Sequence, residues 1–167
     1  MDHTGVYLSQ SQSEMMTTSN TVLCRPRLAQ YGEAGTDQFG HNVATLVGWG
    51  KTTRGKTQPT ATQTEVQQRL ETPVLTTGTC LSLLEDILNL DLSQDLSPEH
   101  HLCAGGLTEA GGCSGDSGGP LMAREDDLSP WQLVGVLSGG PKRCGNGAPD
   151  IFTRLSRYTQ WITDNLN

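Results

Sequence analysis

Short apolar runs separated by spacers rich in glycine and proline are the feature that most constrains this fold. Residues 43–47, 131–137 and 151–155 have the length of β-strands and are short for helices. Glycine (20) and proline (8) make up about 17% of the 167 residues, against about 12% in an average protein. These properties predict an all-β fold, and several short strands with turn-rich connections favour a small barrel.

Two helices and one irregular strand are also predicted. Four leucine and isoleucine residues at helical spacing follow Thr-Thr-Gly-Thr and predict a short helix over residues 81–90. Two strand pieces are predicted at residues 66–70 and 74–75, and Pro73 between them predicts an edge strand or a bend there. A terminal helix with one apolar stripe is predicted from Tyr158, Trp161, Ile162 and Leu166.

Composition excludes several classes of function. The formal net charge is −7, from 11 basic and 18 acidic residues, so nucleic acid is not an expected partner because phosphate contacts need a basic face. No apolar run is long enough to span a bilayer, so no membrane association is expected. The length fits one compact domain.

The five cysteines indicate disulfides. They are widely spaced, no C-x-x-C pair occurs, and no histidine lies at zinc-finger spacing, so no metal or other cofactor is expected. Disulfides indicate an oxidising compartment, and we expect a secreted, extracellular protein. The odd count leaves one cysteine whose partner lies elsewhere, and residues 1–10 show no signal peptide. Both observations lead us to expect a truncated chain.

The run Gly115-Asp116-Ser117-Gly118-Gly119 is the strongest candidate for chemistry. Flanking glycines let the backbone approach a ligand closely, and the amides of Gly115 and Ser117 can then form an oxyanion hole beside the serine hydroxyl. A bare G-x-S-x-G is typical of an ordinary glycine-rich turn with a solvated serine. The longer string that follows Cys113 favours the catalytic interpretation.

This segment resembles the nucleophile loop of the trypsin- and chymotrypsin-like serine proteases. The resemblance extends from about His41 to Asn165 and is weak before His41. Two details resemble the arthropod clip-domain subgroup: the run 140–145, and alanines at positions 44 and 123 where many vertebrate relatives carry a cysteine pair. Other matching landmarks are Gly48-Trp49-Gly50, Cys103-Ala104-Gly105, Val136-Leu137-Ser138, residues 149–154 and Trp161-Ile162.

The resemblance implies the second six-stranded antiparallel β-barrel of a two-barrel fold, with a C-terminal helix, over residues 41–167. Residues 1–40 would then hold the end of the first barrel and the linker between barrels, with the first barrel largely missing. The implied disulfides are Cys80–Cys103 and Cys113–Cys144. Cys24 is left over; in clip-domain relatives a cysteine near this position joins two chains after activation cleavage, and the alternative is a free buried thiol.

The resemblance also implies catalytic roles. Ser117 would be the nucleophile, with a histidine as general base and an aspartate that orients the histidine. No histidine here has the Ala-Ala-His-Cys context of the family, and we interpret His100-His101 as a solvated pair. Asp2 lies 22 residues before Cys24, which makes it a candidate triad aspartate; the alternative is a frayed terminal carboxylate.

Asp116 has a separate implied role. In relatives this residue forms an ion pair with the new N-terminal amine released by activation cleavage, and that pair shapes the oxyanion hole. A buried carboxylate without its partner is costly. We therefore expect the isolated chain to have a disordered or zymogen-like hole and no activity.

By position, the specificity pocket would be formed by Gly111 at its floor together with Gly112, Ser138, Gly140 and Asp150. An acidic floor residue in relatives selects arginine or lysine. Here the carboxylate lies on the opposite wall, so the hypothesis is a pocket that still attracts basic side chains with looser geometry and a broader preference. The alternative is that Asp150 only begins a strand.

Three functions remain open from the sequence. The first is a serine-type endopeptidase that hydrolyses peptide bonds through an acyl-enzyme at Ser117, present here as a chain that lacks the catalytic histidine. The second is a non-catalytic homologue that acts as a binding or regulatory cofactor in a proteolytic cascade, and the third is a gene-model or splice fragment. Expected partners are protein or peptide substrates, protease inhibitors, and the missing N-terminal half, joined through Cys24.

Overall fold

The computed structural model describes residues 16–18, 21–23, 27–28, 43–51, 64–89, 91–124, 126 and 128–166. Five strands precede the first helix, and four more lie between it and the second helix. The strands are β1 (Met16–Thr18), β2 (Thr21–Leu23), β3 (Arg27–Leu28), β4 (Val43–Gly48), β5 (Gln68–Leu75), β6 (His101–Gly105), β7 (Pro120–Ala123), β8 (Gln132–Gly139) and β9 (Pro149–Arg154). The helices are α1 (Thr77–Leu88) and α2 (Thr159–Asn165), the latter preceded by a 3-10 turn (Leu155–Tyr158).

Six of these strands form a closed antiparallel barrel. Its order is β4, β5, β6, β9, β8, β7, and it closes because β7 pairs with β4 as well as with β8. The short β3 adds in parallel to β8, while β1 and β2 form a separate hairpin. The predicted all-β barrel with a C-terminal helix is therefore confirmed.

The barrel interior is filled by alternate residues of all six strands. Phe152 of β9 and Leu121 of β7 are almost completely buried at its centre. Ala44 and Ala123, on the neighbouring strands β4 and β7, also lie in this core. The two positions at which many relatives carry cysteines are thus occupied here by small residues that pack in the barrel.

Helix α1 packs on the outside of the barrel through a second apolar cluster. It begins at Thr77, earlier than predicted, because the Thr76 hydroxyl accepts the Thr79 N–H and caps the helix. It ends at Leu88 because Asn89 adopts a left-handed conformation, with φ of 52°. Cys80, buried on α1, forms a disulfide with Cys103 of β6 and ties the helix to the sheet.

The expectation that Pro73 marks an edge strand or a bend was wrong. Strand β5 runs without interruption through Pro73 and lies between β4 and β6. The proline is tolerated because it is the last β5 residue paired with β4, at Val43, and pairing with β6 begins only at Val74. Pro73 lies where pairing with β4 ends and pairing with β6 has not begun, so its missing N–H interrupts neither ladder of hydrogen bonds.

The chain ends in the 3-10 turn and the short helix α2. Trp161, part of the predicted apolar stripe, exposes 65% of its surface, and no residue of α2 is buried. The stripe therefore packs less closely than the pattern predicts. None of the helices in the described ranges is both long enough and apolar enough to cross a bilayer.

Candidate active site

The glycine-rich loop between β6 and β7 places Ser117 at the surface of the barrel. Gly115 and Gly118 have positive φ angles of 98° and 81°, a conformation that favours glycine. The Asp116 N–H donates to the Cys113 carbonyl at 2.9 Å, and the Gly119 N–H donates to the Asp116 carbonyl at 2.8 Å. The loop therefore turns tightly on both sides of the serine and leaves its side chain exposed.

Three further contacts fasten this loop to the barrel. The Gly118 N–H donates to the Leu137 carbonyl, and the Leu137 N–H donates to the Gly119 carbonyl, both at 2.9 Å. A disulfide joins Cys113 to Cys144, in the segment that follows β8. Ser117 is consequently held on a rigid support, as a positioned nucleophile needs to be.

Two amides beside the serine remain available for a ligand. The N–H groups of Gly115 and Ser117 donate to no acceptor among the residues that the structure describes. The amides of Asp116 and Gly118, by contrast, are both used within the loop. Free backbone donors next to a serine hydroxyl are the groups that can stabilise a developing oxyanion.

Asp116 points away from the serine, toward the end of β4. Its Oδ1 accepts the Gly50 N–H at 2.7 Å and its Oδ2 accepts the Cys113 N–H at 3.0 Å. A Cβ atom built on Gly48 or Gly50 would overlap this carboxylate, so a larger residue at either position would displace the Asp116 side chain. Two backbone amides thus bind the carboxylate, and they offset part of the cost expected for a carboxylate without its ion-pair partner.

A small cavity of about 70 Å³ adjoins Asp116. It lies between the end of β4, the beginning of β5 and the glycine-rich loop. Its lining residues are Leu46, Gly48, Gly50, Lys51, Gln68, Leu70, Gly111 and Asp116. Gly111, predicted at the floor of the specificity pocket, therefore lines this neighbouring cavity.

A larger pocket of about 200 Å³ opens beside Ser117. Gly112, Gly140 and Asp150, all predicted pocket residues, line it, whereas the predicted Ser138 is exposed and does not. Its full lining is Gly112, Cys113, Ser114, Ser117, Leu137, Gly139, Gly140, Pro141, Lys142 and Asp150.

Asp150 is the buried charge of this pocket, with only 4% of its surface exposed. Its Oδ2 accepts the Gly112 N–H at 2.6 Å. Burial raises the pKa of Asp150 to about 6; the Gly112 hydrogen bond opposes this shift, and the negative charge of Asp116 adds to it. The group therefore changes charge near neutral pH.

The two histidines of the described part lie elsewhere. The ring of His100 is within hydrogen-bond distance of the Tyr158 hydroxyl, at 3.1 Å, and His101 Nδ1 accepts the Ser97 N–H at 3.1 Å. Both residues are partly buried and make these local contacts, while the His100 side chain keeps 42% of its surface exposed. Neither lines the pocket beside Ser117.

Two predicted residues, Asp2 and Cys24, lie outside the described residues, as do the two remaining histidines, His3 and His41. The sequence reasoning missed that Pro141 and Lys142 line the pocket, and that Gly48 and Gly50 make room for Asp116. All four residues belong to runs that the sequence analysis had noted, 140–145 and 48–50, but the sequence did not predict what they contact. Within the described ranges, no group of three or more His, Cys, Asp or Glu residues is arranged to hold a metal ion.

Comparison with known proteins agrees with this geometry. Residues 13–162 match the Trypsin family. CLIP domain-containing serine protease B4 of Anopheles gambiae is 36% identical over 121 residues, 71% of this chain and 29% of that protein. CLIP domain-containing serine protease HP8 of Bombyx mori is 29% identical, over 78% of this chain and 32% of that protein.

Phenoloxidase-activating enzyme 1 of Spodoptera litura is 32% identical, over 72% of this chain and 28% of that protein. The chain thus spans about a third or less of the length of these relatives. With the family match over most of its length and the six-stranded barrel, the chain belongs to the trypsin family of serine proteases, within the arthropod clip-domain subgroup.

Proposed function

We propose that this chain carries the nucleophile of a serine-type endopeptidase. The Ser117 hydroxyl gives its proton to a general base and attacks the carbonyl carbon of a peptide bond, while the amides of Gly115 and Ser117 bind the oxyanion. The C–N bond then breaks as the base protonates the leaving amine, and water hydrolyses the resulting acyl-enzyme. The observation that carries the proposal is the exposed Ser117 beside two free amides and a pocket that fits one side chain. Substrates are proteins or peptides, and protease inhibitors would occupy the same cleft.

The general base comes from outside the described residues in this proposal. Ser117 needs an imidazole within hydrogen-bond reach, and neither His100 nor His101 lines the pocket beside it. Asp2 remains the candidate for the carboxylate that orients the base. We therefore propose that the chain is inactive until a histidine-bearing N-terminal half is supplied.

Two large side chains stay exposed in the described part. Trp49 exposes 48% and Trp161 exposes 65% of its surface. We propose that the N-terminal half covers at least one of them and is joined through Cys24. Since the chain holds two disulfides, the assembled protein is proposed to be secreted.

Asp116 is proposed to bind the α-amine released by activation cleavage. The 70 Å³ cavity gives room for a small N-terminal residue, and the carboxylate forms part of its wall. The amine would add to the bonds from Gly50 and Cys113 and fix the loop that carries the two free amides. This pairing couples activation to the oxyanion hole.

Labelling with a fluorophosphonate, which reacts only with activated serine hydroxyls, tests the proposal. The chain alone is expected to remain unlabelled. A chimera that precedes this chain with the corresponding N-terminal portion of the Anopheles gambiae relative, cleaved at its activation site, is expected to be labelled at Ser117.

Ser117→Ala should abolish this labelling, and Ser82→Ala, which changes an exposed serine of α1, should not. An intact, cleaved chimera that stays unlabelled would contradict the catalytic role and favour the non-catalytic homologue. Labelling of the chain alone would contradict the proposal that the base is supplied from elsewhere.

A further inference from the structure

Asp116 and Asp150 lie on the two sides of one thin wall. Gly111 lines the small cavity that adjoins Asp116, and Gly112 lines the pocket beside Ser117 that contains Asp150. We propose that the two carboxylates act as a coupled pair that senses pH: a cation bound at Asp116 drives the proton off Asp150, and a proton on Asp150 weakens cation binding at Asp116. The role of the pair in activation rests on the proposed binding of an α-amine by Asp116, whereas the coupling itself needs no catalysis.

Two consecutive backbone N–H groups link the carboxylates. The Gly112 N–H donates to Asp150 Oδ2 at 2.6 Å, and the next N–H along the chain, that of Cys113, donates to Asp116 Oδ2 at 3.0 Å. Successive backbone nitrogens are less than about 4 Å apart, so the two oxygens are separated by at most about 10 Å. Charges at such a distance interact measurably when protein, and not water, lies between them.

Glycines keep the wall between the carboxylates thin. A Cβ atom on Gly111 would lie 3.4 Å from Asp150 Oδ2, and one on Gly112 would lie 3.1 Å from the same oxygen. On the other side of the wall, a Cβ atom on Gly50 would overlap the Asp116 carboxylate. Backbone alone thus fills this part of the wall, and the two charges approach each other as closely as the loop permits.

Both carboxylates are shielded from water. Asp150 is buried, and Asp116 is half-buried. Burial, the largest cause, raises the pKa of Asp150 to about 6; the Gly112 N–H lowers this pKa, and the negative charge of Asp116 raises it. Of these three causes, the charge of Asp116 is the one that a bound cation can cancel.

Two lysines are the other charged residues that line the two cavities. Lys51 lines the cavity at Asp116, and Lys142 lines the pocket at Asp150. Both lysines are exposed, so water and salt screen their ammonium groups. The two carboxylates are therefore the charges that act on each other through protein.

A cation at Asp116 removes the repulsion that favours protonated Asp150. The pair of Asp116 with an ammonium group carries no net charge, so Asp150 ionises more easily and its pKa falls. By thermodynamic linkage, the amine binds more tightly when Asp150 is ionised. Insertion of the α-amine is therefore favoured as the pH rises through the pKa of Asp150, about 6, and it releases a proton near that pH.

A pH titration of the aspartate carboxyl groups by ¹³C NMR, in the purified 167-residue chain, tests the coupling. Asp150→Asn identifies the Asp150 signal by its loss. Asp116→Asn removes the neighbouring negative charge, and we expect the acid dissociation constant of Asp150 to increase at least about threefold. The control Asp126→Asn changes an exposed carboxylate outside both cavity linings and should leave the constant unchanged. An unchanged constant in folded Asp116→Asn would refute the proposal.

A second measurement leaves both carboxylates in place. Alaninamide supplies a small α-amine that is mostly charged at pH 5 and at pH 7, because the pKa of such amines is about 8. We expect alaninamide to perturb the Gly50 and Cys113 amides, to bind at least about twofold more tightly at pH 7 than at pH 5, and to lose this difference in Asp150→Asn. Absence of binding at both pH values, or the same pH dependence in Asp150→Asn, would contradict the proposal.

Neither measurement needs a catalytic histidine, so their outcome is separate from that of the labelling experiment. Coupling of the two carboxylates without labelling of the chimera would sustain the coupled pair and contradict the peptidase. Labelling of the chimera without coupling would do the reverse.

Discussion

Asp116 and Asp150 are two acidic side chains next to glycines in the same site, but they differ in how many backbone N–H groups they accept. Asp116 accepts a backbone N–H on each oxygen, from Gly50 and Cys113. Asp150 is buried and accepts only the Gly112 N–H. The number of backbone donors thus distinguishes a carboxylate with both oxygens bonded from one whose second oxygen is bonded by no donor among the described residues.

Removal of the Asp116 carboxylate should have the largest effect on stability. Asp116→Ala leaves the Gly50 and Cys113 N–H groups without acceptors, and we expect the free energy of unfolding to fall by about 3 kcal/mol. Urea denaturation at pH 7 measures this change. Asp116→Asn retains an acceptor oxygen and should lose less; equal losses in both variants would show that the hydrogen bonds are not the cause.

Asp150→Asn should have an opposite, pH-dependent effect. The folded-state pKa of about 6 lies above the ordinary value of 3.8, so the folded chain holds this proton more tightly than the unfolded chain. The stability contributed by that proton is complete below about pH 4 and is lost as the pH rises through 6, by about 2–3 kcal/mol.

The asparagine variant cannot lose this contribution. Its free energy of unfolding relative to the unsubstituted chain should therefore increase between pH 4 and pH 8, as measured by urea denaturation across that range. A difference that is constant with pH would show that Asp150 titrates alike in the folded and unfolded chains.

Gly50→Ala should have a smaller effect, because the added methyl group overlaps the Asp116 carboxylate but leaves the side chain free to shift. We expect a loss of about 1–2 kcal/mol, the range for a mildly overpacked site. The midpoint of thermal unfolding, compared with that of Gly78→Ala on open helix surface, measures it. An unchanged midpoint would mean that the carboxylate is not confined at Gly50.

Much of the fold could be predicted because it depends on local patterns. Short apolar runs predicted the barrel, whereas the start of α1 depended on the Thr76 cap and was placed too late. The prediction at Pro73 failed because a strand tolerates a proline where its N–H is not needed for pairing. Which residues pair depends on strands that are distant in sequence. Asp150 could be assigned to the pocket by resemblance. Its raised pKa follows from burial, and its single hydrogen bond follows from the position of Gly112; no sequence pattern displays either.

The contact of Asp116 with Gly50 is a second feature that the sequence could not predict. The two residues are 66 positions apart, and the sequence marks each only as part of a separate glycine-rich run. Their meeting is decided by closure of the barrel through β4 and β7. Site geometry could therefore be predicted within one loop but not between loops.

The Cys80–Cys103 bridge has a consequence for how the molecule withstands damage. The bridge spans 23 positions and encloses most of α1 and the connection to β6. A single break in the backbone inside that loop would leave both pieces covalently attached and still held against the barrel. One proteolytic cut in this segment would therefore release no fragment. Such a bridge protects a protein that is exposed to proteases.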